Sequence, residues 1–399
     1  MAFSYHKQDC CGCSACSSVC PQKCISMKPD GEGFYYPSVD VTNCINCNLC
    51  EKVCPSRAPL EGVSPLAVLA AHNKNENVVK CSSSGGLFTV LAQSVLSNKG
   101  IVYGARYDDA LNVVFDSITV VENLPKLRGS KYVQARINGC YQDAKQKLQQ
   151  GVLVLFTGAP CQIAGLKTFL RKPYDNLITM EVVCHGVPSE KVWQKHLLVI
   201  KEKRLNNSDV SKVTFRYKER NWRAYKLSYS CENGVAYTTP RGEDAYFCGF
   251  VQSLYSRPSC ENCKFKNGAS GADITVGDLW GAERILKDSG NPFGESLVIV
   301  NTSKGKQLIE ENSTVLVSTE IDLADALPYN EGLNEKARPH RNRGKFFEGL
   351  NQANDVDALI AEMLRPTMSE LLKEKRENIY GLLSKIKHLI VKSAELIEK

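Results

Sequence analysis

The chain has 399 residues, 43% of them hydrophobic and 23% charged, with a formal net charge of +7. This is ordinary for a soluble globular protein that buries a core, with two to three domains of about 150 residues as the starting expectation. No run approaches about 18 uninterrupted apolar residues, which excludes a spanning helix on sequence grounds. The start has no apolar segment of the secretory kind, so a cytoplasmic location is expected. In a reducing compartment the 18 cysteines serve metals or catalysis rather than disulfides. The modest positive charge favours acidic partners or anionic cofactors and says nothing about fold.

In chain order, the first elements are two copies of one cysteine spacing. Cys10, Cys13, Cys16 and Cys20 are followed by Pro21, and Cys44, Cys47, Cys50 and Cys54 by Pro55. Three thiolates on one tight loop hold three irons of a cubane, and in two-cluster ferredoxins the distal Cys of the other copy supplies the fourth ligand. The pairing expected here is Cys10, Cys13, Cys16 and Cys54 for one 4Fe–4S cluster, and Cys44, Cys47, Cys50 and Cys20 for the second. Zinc is the alternative, since Cys-x2-Cys is also a zinc signature. It gives no reason for a run of four to occur twice with its proline. Residues 1–59 therefore read as an α+β two-cluster ferredoxin-like module.

Beyond it, residues 66–71 read as a buried strand, and Ser82-Ser83-Ser84-Gly85-Gly86 leads into an apolar pattern at helical spacing. Residues 101–105 and 152–156 are further strand candidates, the second stopping at Thr157-Gly158-Ala159-Pro160-Cys161 before a helix through Leu170. Residues 178–183 repeat that logic and end at Cys184-His185-Gly186. Strands alternating with helical patterns imply a mixed α/β domain with some parallel pairing. It is expected in two parts, 60–150 and 151–350. From Val213 the pattern changes to alternating strands at 213–218, 225–230 and 235–239, the last two forming a hairpin at Asn233-Gly234. Cys260-x2-Cys263 follows, then a strand at 274–276. Residues 351–399 read as a helical tail, with an apolar stripe from Ile379 to Ile397 that packs on its own protein or docks elsewhere.

Two strand ends deliver Cys161 and Cys184, and a third segment supplies Cys260 and Cys263. In open α/β sheets such ends converge on one crevice, so these four thiols are candidates for a third cluster. Scattered packing cysteines are the alternative, as expected for Cys81, Cys140, Cys231 and Cys248, while Cys11 and Cys24 are spare beside the ferredoxin loops. No Gly-x-Gly-x-x-Gly follows a strand, so a Rossmann dinucleotide site has no support. Ser83-Ser84-Gly85-Gly86 before a helix is the best anion site, with an ordinary helix N-cap as the competing reading. The basic runs 216–226 and 338–345 read as solvated faces, or as receivers of flavin phosphates or an acidic redox partner. No nucleic-acid module is present.

These motifs, with Arg128-Gly129-Ser130-Lys131-Tyr132-Val133-Gln134, Cys184-His185-Gly186-Val187-Pro188, Arg257-Pro258-Ser259-Cys260 and residues 273–281, make the chain resemble the β subunits of the deazaflavin (coenzyme F420) hydrogenases and dehydrogenases. The form is the one with an N-terminal two-cluster ferredoxin domain. The resemblance runs from Cys10 to about Phe347 and leaves out the tail. It implies a flavin-binding domain carrying FAD or FMN, and a third 4Fe–4S cluster on Cys161, Cys184, Cys260 and Cys263. The flavin-pocket segments it implies contain Ser83, Ser84, Gly85, Gly86, Lys131, Tyr132, Gln134, Thr157 and Gly158. Plant chlorophyll reductases look similar too, so the resemblance does not fix the deazaflavin coenzyme as substrate.

Clusters pass one electron at a time and a flavin releases two as a hydride. The expected function is an iron–sulfur flavoprotein oxidoreductase. It takes electrons from ferredoxin or another redox protein and reduces a small organic acceptor, a glycan-pathway intermediate or deazaflavin-like coenzyme. The alternative is a non-catalytic subunit wiring a partner enzyme; a redox sensor is a third reading. No catalytic side chain stands out.

Overall fold

The computed structural model describes residues 5–57, 62, 64–287, 290–369 and 372. The N-terminal module carries one antiparallel pair, β1 (Ile25–Pro29) and β2 (Tyr35–Val39), between its two cysteine loops. Each loop ends in a short helix, Ala15–Val19 in the first copy and Leu49–Lys52 in the second.

The main domain is built on β3 (Ala67–Asn73), β4 (Ile101–Tyr107), β5 (Val113–Ile118), β6 (Val154–Gly158) and β7 (Leu177–Val182). Then β8 (Lys212–Tyr217), β9 (Lys226–Ser230) and β10 (Ala236–Pro240) form a separate three-stranded antiparallel sheet. The chain returns to the large sheet with β11 (Ile274–Asp278), β12 (Ser296–Val300) and β13 (Leu316–Glu320). The eight-stranded order is β13-β3-β12-β11-β7-β6-β4-β5. Only its middle is parallel, through the pairs β4–β6, β6–β7 and β7–β11. The two expected parts of the main domain thus share one sheet. β12 is buried along its whole length, as strands covered on both faces are.

The 213–218 strand departs from simple alternation. Val213 and Phe215 point inward, but Tyr217 is 42% exposed while Arg216 and Lys218 are 6% and 8% exposed. The ladder to β9 shifts register between Thr214 and Tyr217. Such an irregularity reverses which parity faces the core. Part of the expected solvated basic run is therefore turned into the protein.

The ferredoxin-like module is seated on the main domain rather than tethered to it. Arg343 donates twice to Glu32, at 3.2 and 2.6 Å. Tyr35 donates to Glu190 at 3.0 Å, and Gly33, at φ +89°, lies where a Cβ would strike the Lys191 side chain. Cys11, Cys13, Ala15 and Val53 belong to the same buried apolar cluster as Ile163, Ala164 and Trp193 of the main domain. By contrast Cys16, Cys24 and Ile25 form a small cluster of their own. In the tail the helix Val356–Met363 is described; the apolar stripe from Ile379 lies outside the described residues. Among the described residues no helix is long and apolar enough to cross a membrane.

Candidate functional site

The two cysteine loops repeat in backbone as well as in sequence. Gly12 and Ser14 have φ +70° and +64°, and their counterparts Asn46 and Asn48 have +53° and +57°. These left-handed turns curl each loop so that its thiols face a common hollow, a conformation that favours Gly and Asn.

Cys10, Cys13, Cys16 and Cys54 line one cavity. Cys20, Cys44, Cys47 and Cys50 line another, with Cys24 beside them at 3.4 Å from the Cys20 sulfur. Cys20 lines the cavity of the second loop and Cys54 that of the first. Burial pushes the Cys10 thiol up to about 11 and Cys16 further, so filling these sites must release protons.

A third cavity is lined by Cys161, Cys184, Cys260 and Cys263. Its construction follows from the sheet. β6 and β7 run parallel, with Gly158 opposite Glu181. Cys161 and Cys184 each stand three residues past that pair, at the carboxyl ends of neighbouring strands. Cys161 opens the helix Pro160–Leu170, and the short helix Pro258–Glu261 brings in Cys260. Burial raises Cys260 to about 12. His185 is on the same wall, its Nε2 at 3.3 Å from the Ser253 hydroxyl, and burial lowers its pKa. Asp9, Cys11, Ser56 and Lys264 line both this cavity and that of Cys10, Cys13, Cys16 and Cys54. The Cys11 thiol interacts with those of Cys13 and Cys161. Among the described residues no three His, Cys, Asp or Glu side chains gather closely enough to hold a single metal ion. A cubane spreads its thiolates over the corners of a cluster.

The main domain also holds a cleft of about 1570 Å³. Ser83, Ser130, Lys131, Arg128, Arg216 and Lys218 are on its wall. The Ser83 hydroxyl accepts from the Ser130 backbone N–H at 2.7 Å. The Lys218 ammonium donates to the carbonyls of Val79, Ser84 and Phe293 at 3.0, 3.1 and 2.5 Å. Lys131 donates to those of Leu127, Arg128 and Gly129. Burial brings both amines down to about 7. Arg216 pairs with Asp278 at 2.9 Å and lies 4.1 Å over the Tyr225 ring.

Of the nine expected pocket residues, Ser83 and Lys131 line this cleft. The other seven sit in the framework around it. Gly85 donates its N–H to the Ser296 hydroxyl at 3.0 Å, and a Cβ there would strike the Ala71 carbonyl. This glycine serves the close approach of strands, so its N–H is not a phosphate donor. Ser84 donates to the Glu295 carbonyl at 2.7 Å, and Gly86, at φ +86°, starts the helix Leu87–Ser97. Thr157 donates to the Tyr103 carbonyl at 2.9 Å, and Gly158 packs under Phe115. Tyr132 packs against Phe250, which in turn meets His185. Gln134 reaches the Cys11 carbonyl at 3.3 Å. Residues 128–134 thus run from the cleft to the cysteine cavities. Cys81, expected as packing, is exposed and also lines the cleft. Arg216 and Lys218 were hidden in a run of basic residues. Their shared parity at and just past the end of β8 was the only signal, and the register shift obscured it.

Residues 152–323 match the family model that describes the C-terminal part of the coenzyme F420 hydrogenase/dehydrogenase beta chain. Residues 9–58 match that of the 4Fe-4S dicluster domain. Residues 152–323 thus carry the C-terminal region of this β-subunit family, behind a dicluster domain at residues 9–58. A solved structure of the F420-reducing [NiFe] hydrogenase complex from Methanosarcina barkeri, studied as a xenon derivative, is 19% identical over 73% of this chain and 94% of that one, with a TM-score of 0.45. The comparison with curated proteins gives no match. The dicluster match makes this an iron–sulfur protein.

Proposed function

We propose that the protein is a flavin-dependent oxidoreductase fed by a fixed line of three 4Fe–4S clusters. The observation that carries this reading is the contact between cavities. Four thiols from three separate segments line one hollow that shares Asp9, Cys11, Ser56 and Lys264 with the hollow of Cys10, Cys13, Cys16 and Cys54. Isolated packing cysteines have no reason to converge next to a cluster. The ligands would be Cys10, Cys13, Cys16 and Cys54; Cys44, Cys47, Cys50 and Cys20; and Cys161, Cys184, Cys260 and Cys263.

FAD or FMN would occupy the cleft, where it would collect single electrons and deliver them as a hydride. The residues fit its phosphates through side chains: Lys131 and Lys218 are ammonium groups whose hydrogen bonds go to carbonyls, and an anion would compensate their burial. Tyr132, next to Lys131 of the cleft, packs on Phe250, and Phe250 on His185 of the third cavity. Arg216, held by Asp278 and backed by Tyr225, presents fixed positive charge to the cleft. The substrate would be a small organic molecule reduced at the open side, and the donor a low-potential redox protein.

The competing reading, a subunit that only relays electrons to a partner enzyme, uses the same clusters and leaves the cleft without a role. Anaerobic preparation with iron, sulfide and flavin counted per chain tests the proposal. About twelve irons, matching sulfide and one flavin are expected. About eight irons with no flavin taken up would leave the relay reading in its place.

A further inference from the structure

Arg257 is among the largest fully buried side chains, 0% exposed. A guanidinium out of water normally finds a carboxylate. Among the described residues none pairs with this one. Its Nε donates to the Cys10 carbonyl at 2.7 Å and Nη2 to the Tyr35 carbonyl at 2.9 Å. Nη1 donates to the Gln134 side-chain oxygen at 2.9 Å. Nη2 also stands 3.8 Å from the Cys10 sulfur, and the guanidinium lies 4.2 Å over the Tyr36 ring. Among the described residues, the thiol it approaches within hydrogen-bonding reach is that of Cys10 in the inward cavity, while Cys11 and Cys260 of the third cavity also feel its charge. Four thiolates on a cubane make an anion, which would supply the missing counter-charge.

The two cavities of the dicluster domain differ in a way that gives this charge a task. Cys13 and Cys16 are each 8% exposed, whereas Cys47 is exposed and its neighbour Ile45 is 59% exposed. Adding an electron adds negative charge, which burial disfavours. Burial alone would make the inward cluster the harder of the two to reduce, and electrons entering from outside would stall at the outward one. Net charge and hydrogen bonds at the sulfurs are the protein's other means of setting a cluster potential. We propose that Arg257 raises the potential of the inward cluster, held by Cys10, Cys13, Cys16 and Cys54, above that of the outward one, and so gives electron flow its inward direction.

In that step one electron leaves the reduced outward cluster, which is oxidised, and reduces the inward cluster. No bond breaks and no proton moves, because the guanidinium stays protonated throughout. The original reductant is a low-potential one-electron donor. The inference rests on the electron route proposed above.

The test is a reductive titration of the full-length, anaerobically prepared protein, followed by electron paramagnetic resonance. The three signals are assigned with Cys50→Ser, which removes the outward cluster, and Cys263→Ser, which removes the third. In the parent protein the inward cluster is expected to reduce at the higher potential. Arg257→Gln should shift that signal to more negative potential and leave the outward one in place, with iron and sulfide unchanged. Arg257→Lys, which keeps the charge, should restore most of the shift. Because Arg257 also joins the two domains, a merely structural role would disturb docking without this rescue. Equal potentials in the parent, or an inward cluster below the outward one, would overturn the inference whatever the variants do. So would a shift of the inward and outward signals together. Protein without sulfide-bearing iron would instead remove the proposed function itself.

Discussion

The two halves of the duplicated cysteine motif have one backbone and two surroundings. Position by position, Cys11 matches Ile45, Gly12 matches Asn46 and Ala15 matches Leu49. In the first copy these residues are pressed against the main domain: Cys11 is 9% exposed and Ala15 0%. A Cβ on Gly12 would come within 2.7 Å of the Gln134 amide and 2.9 Å of Arg257. In the second copy Ile45 stands in solvent, and the Leu49–Lys52 helix buries no residue. The same loop serves once as an internal joint and once as an outer face. Ferredoxin chemistry needs only the thiols and the turns; everything else in each copy records what it touches.

The largest test of that difference is to remove one cluster at a time. Cys16→Ser should cost one cluster and stop reduction of every centre beyond it. Cys50→Ser should also cost one cluster, yet a small reductant such as dithionite should still reach the inner centres directly. Equal loss of inner reduction in both variants would contradict the inward and outward assignment.

A smaller effect is expected on stability. Gly12→Ala combines a left-handed backbone, roughly 1–2 kcal/mol for a side chain, with the close contacts to Gln134 and Arg257, and should lower the melting temperature clearly. Asn46 already holds a side chain in that conformation, so Asn46→Ala loses only its local hydrogen bonding, including the Cys44 Sγ contact at 3.9 Å, and should cost less. Thermal unfolding of the two variants under anaerobic conditions should rank them in that order.

How much of this was legible beforehand follows from the kind of signal. That Cys20 lines the second loop's cavity and Cys54 the first's, and that Cys161, Cys184, Cys260 and Cys263 line one cavity, matches what spacing and strand ends suggest, because thiol chemistry restricts both. β5, β12 and β13 were not anticipated, although the Ser296–Val300 run is apolar, since a short apolar run has no period of its own. The glycine of the Ser83–Gly86 loop was misread as a phosphate donor. Tight approach of two strands and tight approach of a ligand ask for the same residue. Arg257 was visible only as part of a motif, because burial of a charge depends on contacts 247 residues apart.

The cleft adds a pH dependence. Lys131 and Lys218 are brought down to about 7 by burial, so in the free protein they lose their charge as pH rises past that value. A bound phosphate favours the charged form and raises both values again. Flavin should therefore bind most tightly below pH 7 and progressively more weakly above it, with proton uptake on binding. Calorimetric titration in two buffers of different ionisation enthalpy measures that uptake, and Lys218→Met should reduce it.

The smallest effect is expected at the outer face. Ile45 borders the outward cavity but is 59% exposed, so Ile45→Lys should change stability by no more than about 0.5 kcal/mol. It should nevertheless alter the rate of reduction by a protein donor while leaving the dithionite rate alone.

The most direct measurement of the central claim is stopped-flow bleaching of the flavin by a low-potential donor, in the parent protein and in Cys263→Ser. The account predicts bleaching in the parent and its loss in the variant, with the two N-terminal clusters still reduced. Flavin that bleaches at the parent rate without Cys263 would contradict a route through the third cavity.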